Sequence, residues 1–326
     1  MKTILAIDGG GVRGIMEAII LREVENRIRK KTFSNENNLA DYFDVVSGAS
    51  TGGIISAILT LKDKNGKYKY DCSDAFNFYK DHCYEIFNKS KRIFGGLTYK
   101  YCEKALEKYL NKYFGDAELK DLKNHVIIPT VDMNTSKAFF FSNVKSDDKR
   151  TDYKVKDVLR CTSAAPTYFK PKKVGNVIGI DGGMVANDTA ICCISKLQKY
   201  DNTRLEDIYV LNIGSGSVPP KTKDITSTWT ILNWATSITN IMLYANVGLV
   251  KYQLQQLDLG GLSSIDIPEE FRNYDSDMAD ASKKNMDKLI HAANKTVQLY
   301  TNEIDKIVTF LLSNYLHESN AKMRKK

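Results

Sequence analysis

Three glycine-flanked turns hold the residues whose types and spacing could do chemistry. The first is Gly48-Ala49-Ser50-Thr51-Gly52, a G-x-S-x-G between the apolar stretch Tyr42 to Val46 and the apolar run Ile54 to Leu61. A serine on a sharp strand-to-helix turn stands clear of the sheet, at the positive end of the next helix. Glycines on either side remove the side chains that would clash there. That setting suits a nucleophile, and a serine that only caps a structural helix is the plainer alternative.

The second turn is Asp8-Gly9-Gly10-Gly11-Val12-Arg13-Gly14. Successive glycines free several N–H groups to point at one anion, the construction of an oxyanion hole. Gly9, Gly11 and Gly14 also fit G-x-G-x-x-G, so a nucleotide-binding protein using the Gly9–Gly14 loop is the rival reading. That reading wants an acidic residue about 20 positions on, at the end of the second strand. Glu23 and Glu25 have the distance but fall inside an expected helix.

The third is Asp181-Gly182-Gly183, after the apolar Val177 to Ile180. A carboxylate at a strand's C-terminal end faces the crevice where parallel sheets place ligands. An ordinary aspartate turn has the same sequence, and that alternative stays open. The four histidines, His82, His125, His291 and His317, lie outside glycine turns that follow strands. A serine nucleophile here therefore needs another base, and Asp181 is the candidate. An aspartate of ordinary pKa, about 3.9, would spare activity near pH 6.5, where a histidine base titrates.

The elements that must position these turns are legible from periodicity. Thr3 to Ile7 reads as a buried strand, and Ile15, Ile19, Leu21, Val24 and Ile28 follow at helical spacing. Helical patterns recur over Cys72–Phe87, Tyr99–Tyr113 and Val155–Ser163. Val126 to Val131 and Ala138 to Phe141 read as two strands around Asn134-Thr135, and Ile208 to Ile213 as another. Strands alternating with helices predict a mostly parallel sheet covered on both faces. Thr228 to Leu257 reads as one long helix or a pair, and Ile265-Asp266-Ile267-Pro268 as punctuation. From Ala279 to Leu311 one apolar face continues at i, i+3, i+4 spacing, the mark of a core-packing helix or a membrane-docking one. This reading divides the chain into an α/β domain over 1–260 and a helical extension over 261–326 packed on it.

Composition bounds the rest. Of 326 residues, 43% are hydrophobic and 26% charged, enough to bury a core without disulfide or metal. The six cysteines form no C-x-x-C pair and read as reduced thiols, the pattern of a cytoplasmic protein. No ligand spacing predicts a metal, and no cofactor is expected. The net charge of +8 is interspersed, so a nucleic-acid polymer is not an expected partner. The basic cluster Lys322-Met323-Arg324-Lys325-Lys326 either solubilises the chain or draws it weakly to an anionic membrane.

At these motifs the chain resembles the patatin-like phospholipase family. Asp8 to Gly14, Gly48 to Gly53 and Asp181 to Gly183 match three family motifs in their usual order. Leu39 to Val46, Ser163 to Phe169 and Leu211 to Gly216 are similar to family stretches too. Ala49 stands where a threonine is common, and Asn187-Asp188-Thr189 where many members place Asn and soon a proline. The resemblance implies a three-layer α/β/α fold with a central, mostly parallel sheet. It implies a Ser50–Asp181 dyad, with an oxyanion hole from Gly9, Gly10, Gly11 and Arg13. The implied reaction is hydrolysis of fatty acyl esters in phospholipids, lysophospholipids or galactolipids, by a protein peripheral at a membrane surface. Some bacterial relatives are antiphage effectors switched on by cyclic nucleotides. That role, with an activating cyclic nucleotide as partner, is an option beside an ordinary lipase.

Overall fold

The computed structural model describes residues 1–88, 99–144, 152–218 and 231–323. The start of the Thr228 helix and the end of the basic tail lie outside them. β1 (Lys2–Ile7) leads through the first glycine turn into α1 (Gly14–Thr32), and β2 (Val45–Gly48) through the Ser50 turn into α2 (Thr51–Thr60). The helices α3 (Cys72–Ile86) and α4 (Glu103–Phe114) precede the hairpin of β3 (His125–Asp132) and β4 (Lys137–Ser142). After α5 (Val155–Thr162) comes a second hairpin, β5 (Lys172–Val174) and β6 (Val177–Ile180). The Asp181 turn opens the single-turn helix α6 (Gly183–Ala186), followed by α7 (Ala190–Asp201). β7 (Ile208–Ile213), α8 (Ile231–Gln255), β8 (Gly261–Ile265), α9 (Lys283–Leu299) and α10 (Thr301–Met323) follow.

The eight strands form one mixed, mostly parallel sheet in the order β5-β6-β3-β2-β1-β7-β8, with β4 also paired to β3. Its central strands are buried on both faces, which is why they read as unbroken apolar runs rather than as alternation. Leu5 and Ile7 of β1, with Leu211 and Ile213 of β7, face a core shared with α1 to α5, α9 and α10. Ile4, Ala6, Ile208 and Val210 face the opposite core, built with α7 and the end of α8. Successive strand residues thus feed two helical layers, and the expected α/β/α arrangement is what the chain adopts. Among the described residues no helix is long and apolar enough to cross a membrane.

Register explains how two distant turns meet. β4 occupies one edge of β3 over Ile127 to Asp132. The other edge is shared: β2 takes His125 to Ile127 in parallel, and β6 takes Val131 and Asp132 antiparallel. β2 and β6 therefore run toward each other along the same edge of β3. Their C-terminal ends, which continue into Ser50 and Asp181, face across the gap beside Ile128 to Thr130.

The differences from expectation lie at the periphery. Tyr42 ends a short 3-10 turn, Leu39–Tyr42, and β2 begins only at Val45. β5 and β8 were not expected. β5 is a three-residue strand with two lysines, and β8, Gly-Leu-Ser-Ser-Ile, reads as a turn until β7 is seen beside it. β8 thus extends the sheet past residue 260. The single C-terminal helix is two, parted at Tyr300, where no proline or glycine interrupts the apolar pattern.

Candidate active site

Ser50 has φ +52° and ψ −116°, a conformation L-residues avoid, with a cost of about 1–3 kcal/mol. The neighbouring glycines show what holds it. A Cβ on Gly48 would stand 2.3 Å from the Gly52 carbonyl carbon, and one on Gly52 would stand 2.1 Å from Ile7 O. Only a chain without side chains at both positions lets α2 start this close to β1. Thr162, at the end of α5, braces the turn. Its Oγ1 accepts the Ser50 N–H at 3.1 Å and donates to Pro129 O at 2.6 Å. Its carbonyl accepts the Gly182 N–H at 3.0 Å, so one residue steadies both turns. Thr162 was not singled out from the sequence, since a short amphipathic helix ending in threonine carries no signal of this kind.

Ser50 and Asp181 line the same cavity, and the Ser50 hydroxyl lies near enough to the Asp181 carboxyl to pull its pKa down. Asp181 is 2% exposed and its Oδ1 accepts the Gly183 N–H at 2.8 Å. Burial pushes its pKa up to about 7, against the pull of the Gly183 hydrogen bond and the Ser50 hydroxyl. The expectation of an ordinary, low-pKa aspartate is thereby overturned: the apolar surroundings make this carboxyl titrate where a histidine would.

The first glycine turn closes over Ser50. Thr51 Oγ1 donates to Gly11 O at 2.7 Å, and the Val12 N–H donates to Met278 O at 2.9 Å. Gly11 has φ +61°, and a Cβ on it would stand 2.1 Å from Met278 O, so glycine is required there twice over. Among the described residues, neither Gly10 nor Gly11 spends its N–H on a protein acceptor. Gly9 does, donating to Asn187 O at 3.2 Å, so it is a fastening point and not a free donor. Arg13 is 6% exposed and its side chain does not line the cavity at Ser50. Burial lowers its pKa, and the nearby Glu17 and Asp266 carboxyls oppose that shift.

Ser50, Asp181 and Gly11 open on a narrow cavity of about 40 Å3. Its walls are apolar, among them Ile54, Phe78, Ile86, Leu106 and Phe169. No histidine lines it. His82 stacks on Tyr109 at 3.8 Å, and His125 is half-buried at the start of β3, its pKa held down to about 4 by desolvation. Glu25, the acid that a dinucleotide reading could have used, is buried in α1 and accepts the Leu39 and Cys72 amides instead. All six thiols are free and four are buried.

A strained serine on a strand-to-helix turn, a buried aspartate and a glycine turn thus meet at one apolar cavity. A family model for patatin-like phospholipases matches residues 5–191, which include all three turns. The chain belongs to the patatin-like phospholipase family. Patatin-17 of Solanum cardiophyllum is 30% identical over 91% of this chain and 84% of its own. Patatin-like protein 1 of Arabidopsis thaliana is 29% identical over 88% of this chain and 77% of its own. Among solved structures, VipD from Legionella pneumophila covers 90% of this chain and 67% of its own, with a TM-score of 0.38 and 11% identity. A likeness that loose adds nothing to the assignment. Membership of the family supports lipid acyl hydrolysis as the activity.

Proposed function

We propose that the chain hydrolyses fatty acyl esters of phospholipids, lysophospholipids or galactolipids, with Ser50 as nucleophile and Asp181 as base. The observation that carries this reading is the strained Ser50 and the buried Asp181 lining one apolar cavity. Ionised Asp181 takes the proton as Ser50 Oγ attacks the ester carbonyl. The oxyanion that forms is held by the N–H groups of Gly10 and Gly11, with Gly9 anchoring the loop and Arg13 lying buried beneath it as a fixed positive charge. The tetrahedral intermediate collapses to an acyl-enzyme, and Asp181 returns its proton to the departing alcohol. Water then attacks the acyl-enzyme with Asp181 as base, and Asp181 passes that proton to Ser50 Oγ as the fatty acid leaves. The cavity is only a few times the size of a single water site, about 10–15 Å3. An acyl chain entering it must push the aromatic walls apart. We place this work in the cytoplasm, at a membrane surface.

The test is mass spectrometry of products after incubation with mixed phospholipid and galactolipid vesicles. Free fatty acid with the matching lyso-lipid supports the reading. Intact lipids, with hydrolysis absent on a short soluble ester as well, would remove it. A melting temperature raised by NAD or ATP, with no ester turnover, would favour the nucleotide-binding reading.

The base sets the pH dependence. Asp181 must be ionised in the free enzyme, so kcat/KM should rise with pH through about 7 and fall tenfold per unit below it. A limb near pH 4 would show that burial does not hold the carboxyl protonated.

The oxyanion donors are tested separately. Gly10→Ala places a methyl 2.6 Å from Ser215 Cβ, so the loop must shift and carry its amides away from the intermediate. The loss should fall on kcat by about 10²-fold, the worth of one donor. A rise in KM alone would mean that the loop binds the ground state instead.

A further inference from the structure

The short helix α6 links the two halves of the site but has little to hold itself. It is four residues long, with room for hardly any internal hydrogen bonds. Immediately after it, Asn187 is fully buried and grips Gly9 at both ends. Asn187 Nδ2 donates to Gly9 O at 3.2 Å, while Asn187 O accepts the Gly9 N–H at 3.2 Å. A Cβ on Gly9 would stand 2.4 Å from Asn187 Oδ1, and one on Gly183 would stand 2.6 Å from the same atom. The Asn187 amide is thus wedged between the glycine loop and the turn that hydrogen-bonds Asp181.

What fixes this wedge comes from α8. Asn246 Oδ1 accepts the Asn187 N–H at 2.8 Å, and Asn246 Nδ2 donates to Val185 O at 3.0 Å. One turn earlier, Leu243 Cδ2 stands 2.5 Å from where a Gly183 Cβ would be. Asn246 is therefore the side chain that satisfies the open backbone groups at the end of α6.

Resting on the reading of Ser50 and Asp181 above, we propose that Asn246 is a positioning residue for the ester hydrolysis. Through Asn187 and Val185 it holds the Asp181 turn and the Gly9–Gly11 loop in register, so that base and oxyanion donors address the same carbonyl. It touches no substrate. Its loss loosens the geometry of the transition state and the Gly183 N–H bond that keeps the Asp181 pKa from rising further.

The experiment uses the full chain and a short soluble acyl ester, comparing wild type, Asn246→Ala and Leu249→Ser. Leu249 lies on the exposed side of α8, 54% accessible, and controls for general damage to the helix. Asn246→Ala should lower kcat by about 10–100-fold, the cost of misplacing groups remote from the chemistry. KM should stay within about twofold. The acid limb of the pH profile should move upward from about 7. Leu249→Ser should change none of these. If Asn246→Ala does not fold, Asn246→Asp serves, since it keeps the acceptor for Asn187 and loses the donor to Val185. Its kcat and acid limb should move in the same directions by less. Folded variants with unchanged kcat and an unmoved acid limb overturn the proposal. So does an equal loss in Leu249→Ser. An inactive wild type would instead count against the Ser50–Asp181 reading.

Discussion

Asp181→Asn should give a protein that turns over poorly yet melts higher than wild type at pH 8. The amide keeps the shape of the carboxyl and can still accept the Gly183 N–H, but it cannot take a proton from Ser50. Removal of a general base costs about 10²–10⁴-fold in kcat. The stability gain follows from burial. The folded pKa of about 7 lies above the reference value of 3.8, so the folded state binds more protons between them. Stability is then highest below the unfolded pKa and declines as pH rises through the folded one. At about 1.4 kcal/mol per unit, keeping Asp181 ionised costs on the order of 4 kcal/mol above pH 7. Asparagine carries no such cost. The advantage over wild type should therefore be larger at pH 8 than at pH 5, by a few degrees in Tm. Thermal unfolding at the two pH values measures it, and an equal difference at both would mean that Asp181 does not titrate as its burial implies.

The second large effect is that of Ser50→Ala. Loss of a serine nucleophile costs up to about 10⁶-fold in kcat, so activity should fall to background. The fold should persist, because the Ser50 N–H that binds Thr162 belongs to the backbone. Alanine inherits the strained φ of +52°, whereas Ser50→Gly relieves it. The glycine variant should be equally inactive but more stable than the alanine variant, by about 1 kcal/mol in chemical denaturation. Residual turnover in either variant would point to another nucleophile.

Much of the central sheet could be read from residue order, because its signals are local. β1, β3, β4, β6 and β7 are apolar runs bounded by turn residues, and the glycines at Gly9–Gly11, Gly48 and Gly52 mark tight approaches of backbone. β5 and β8 could not be read this way. They are edge strands, poor in apolar residues, and pair only because β6 and β7 offer a free edge. The break at Tyr300 was hidden because the apolar spacing runs across it.

At the site, Ser50 and Asp181 were recognisable as types of residue in types of turn. What brings them together, the sharing of one edge of β3 by β2 and β6, is a long-range fact of register. The Asp181 pKa depends on burial by residues far apart in the chain, and so could not be anticipated. The same holds for Thr162, Asn187 and Asn246, whose roles rest on hydrogen bonds to backbone groups 33, 178 and 59 residues away. Gly9 and Arg13 illustrate the reverse. The motif suggests four parts of an oxyanion hole, while packing uses the Gly9 amide for anchorage and buries Arg13 away from the cavity.

The most direct measurement is covalent labelling of the wild type with a long-chain fluorophosphonate, followed by peptide mass spectrometry. The probe reacts with a serine that is activated as a nucleophile and reached through an apolar cleft. One adduct, on Ser50, is expected. Its formation should slow as pH falls below about 7, and should be nearly absent in Asp181→Asn. An adduct on another serine, or labelling of Ser50 that is as fast in Asp181→Asn as in wild type, would contradict the assignment of nucleophile and base.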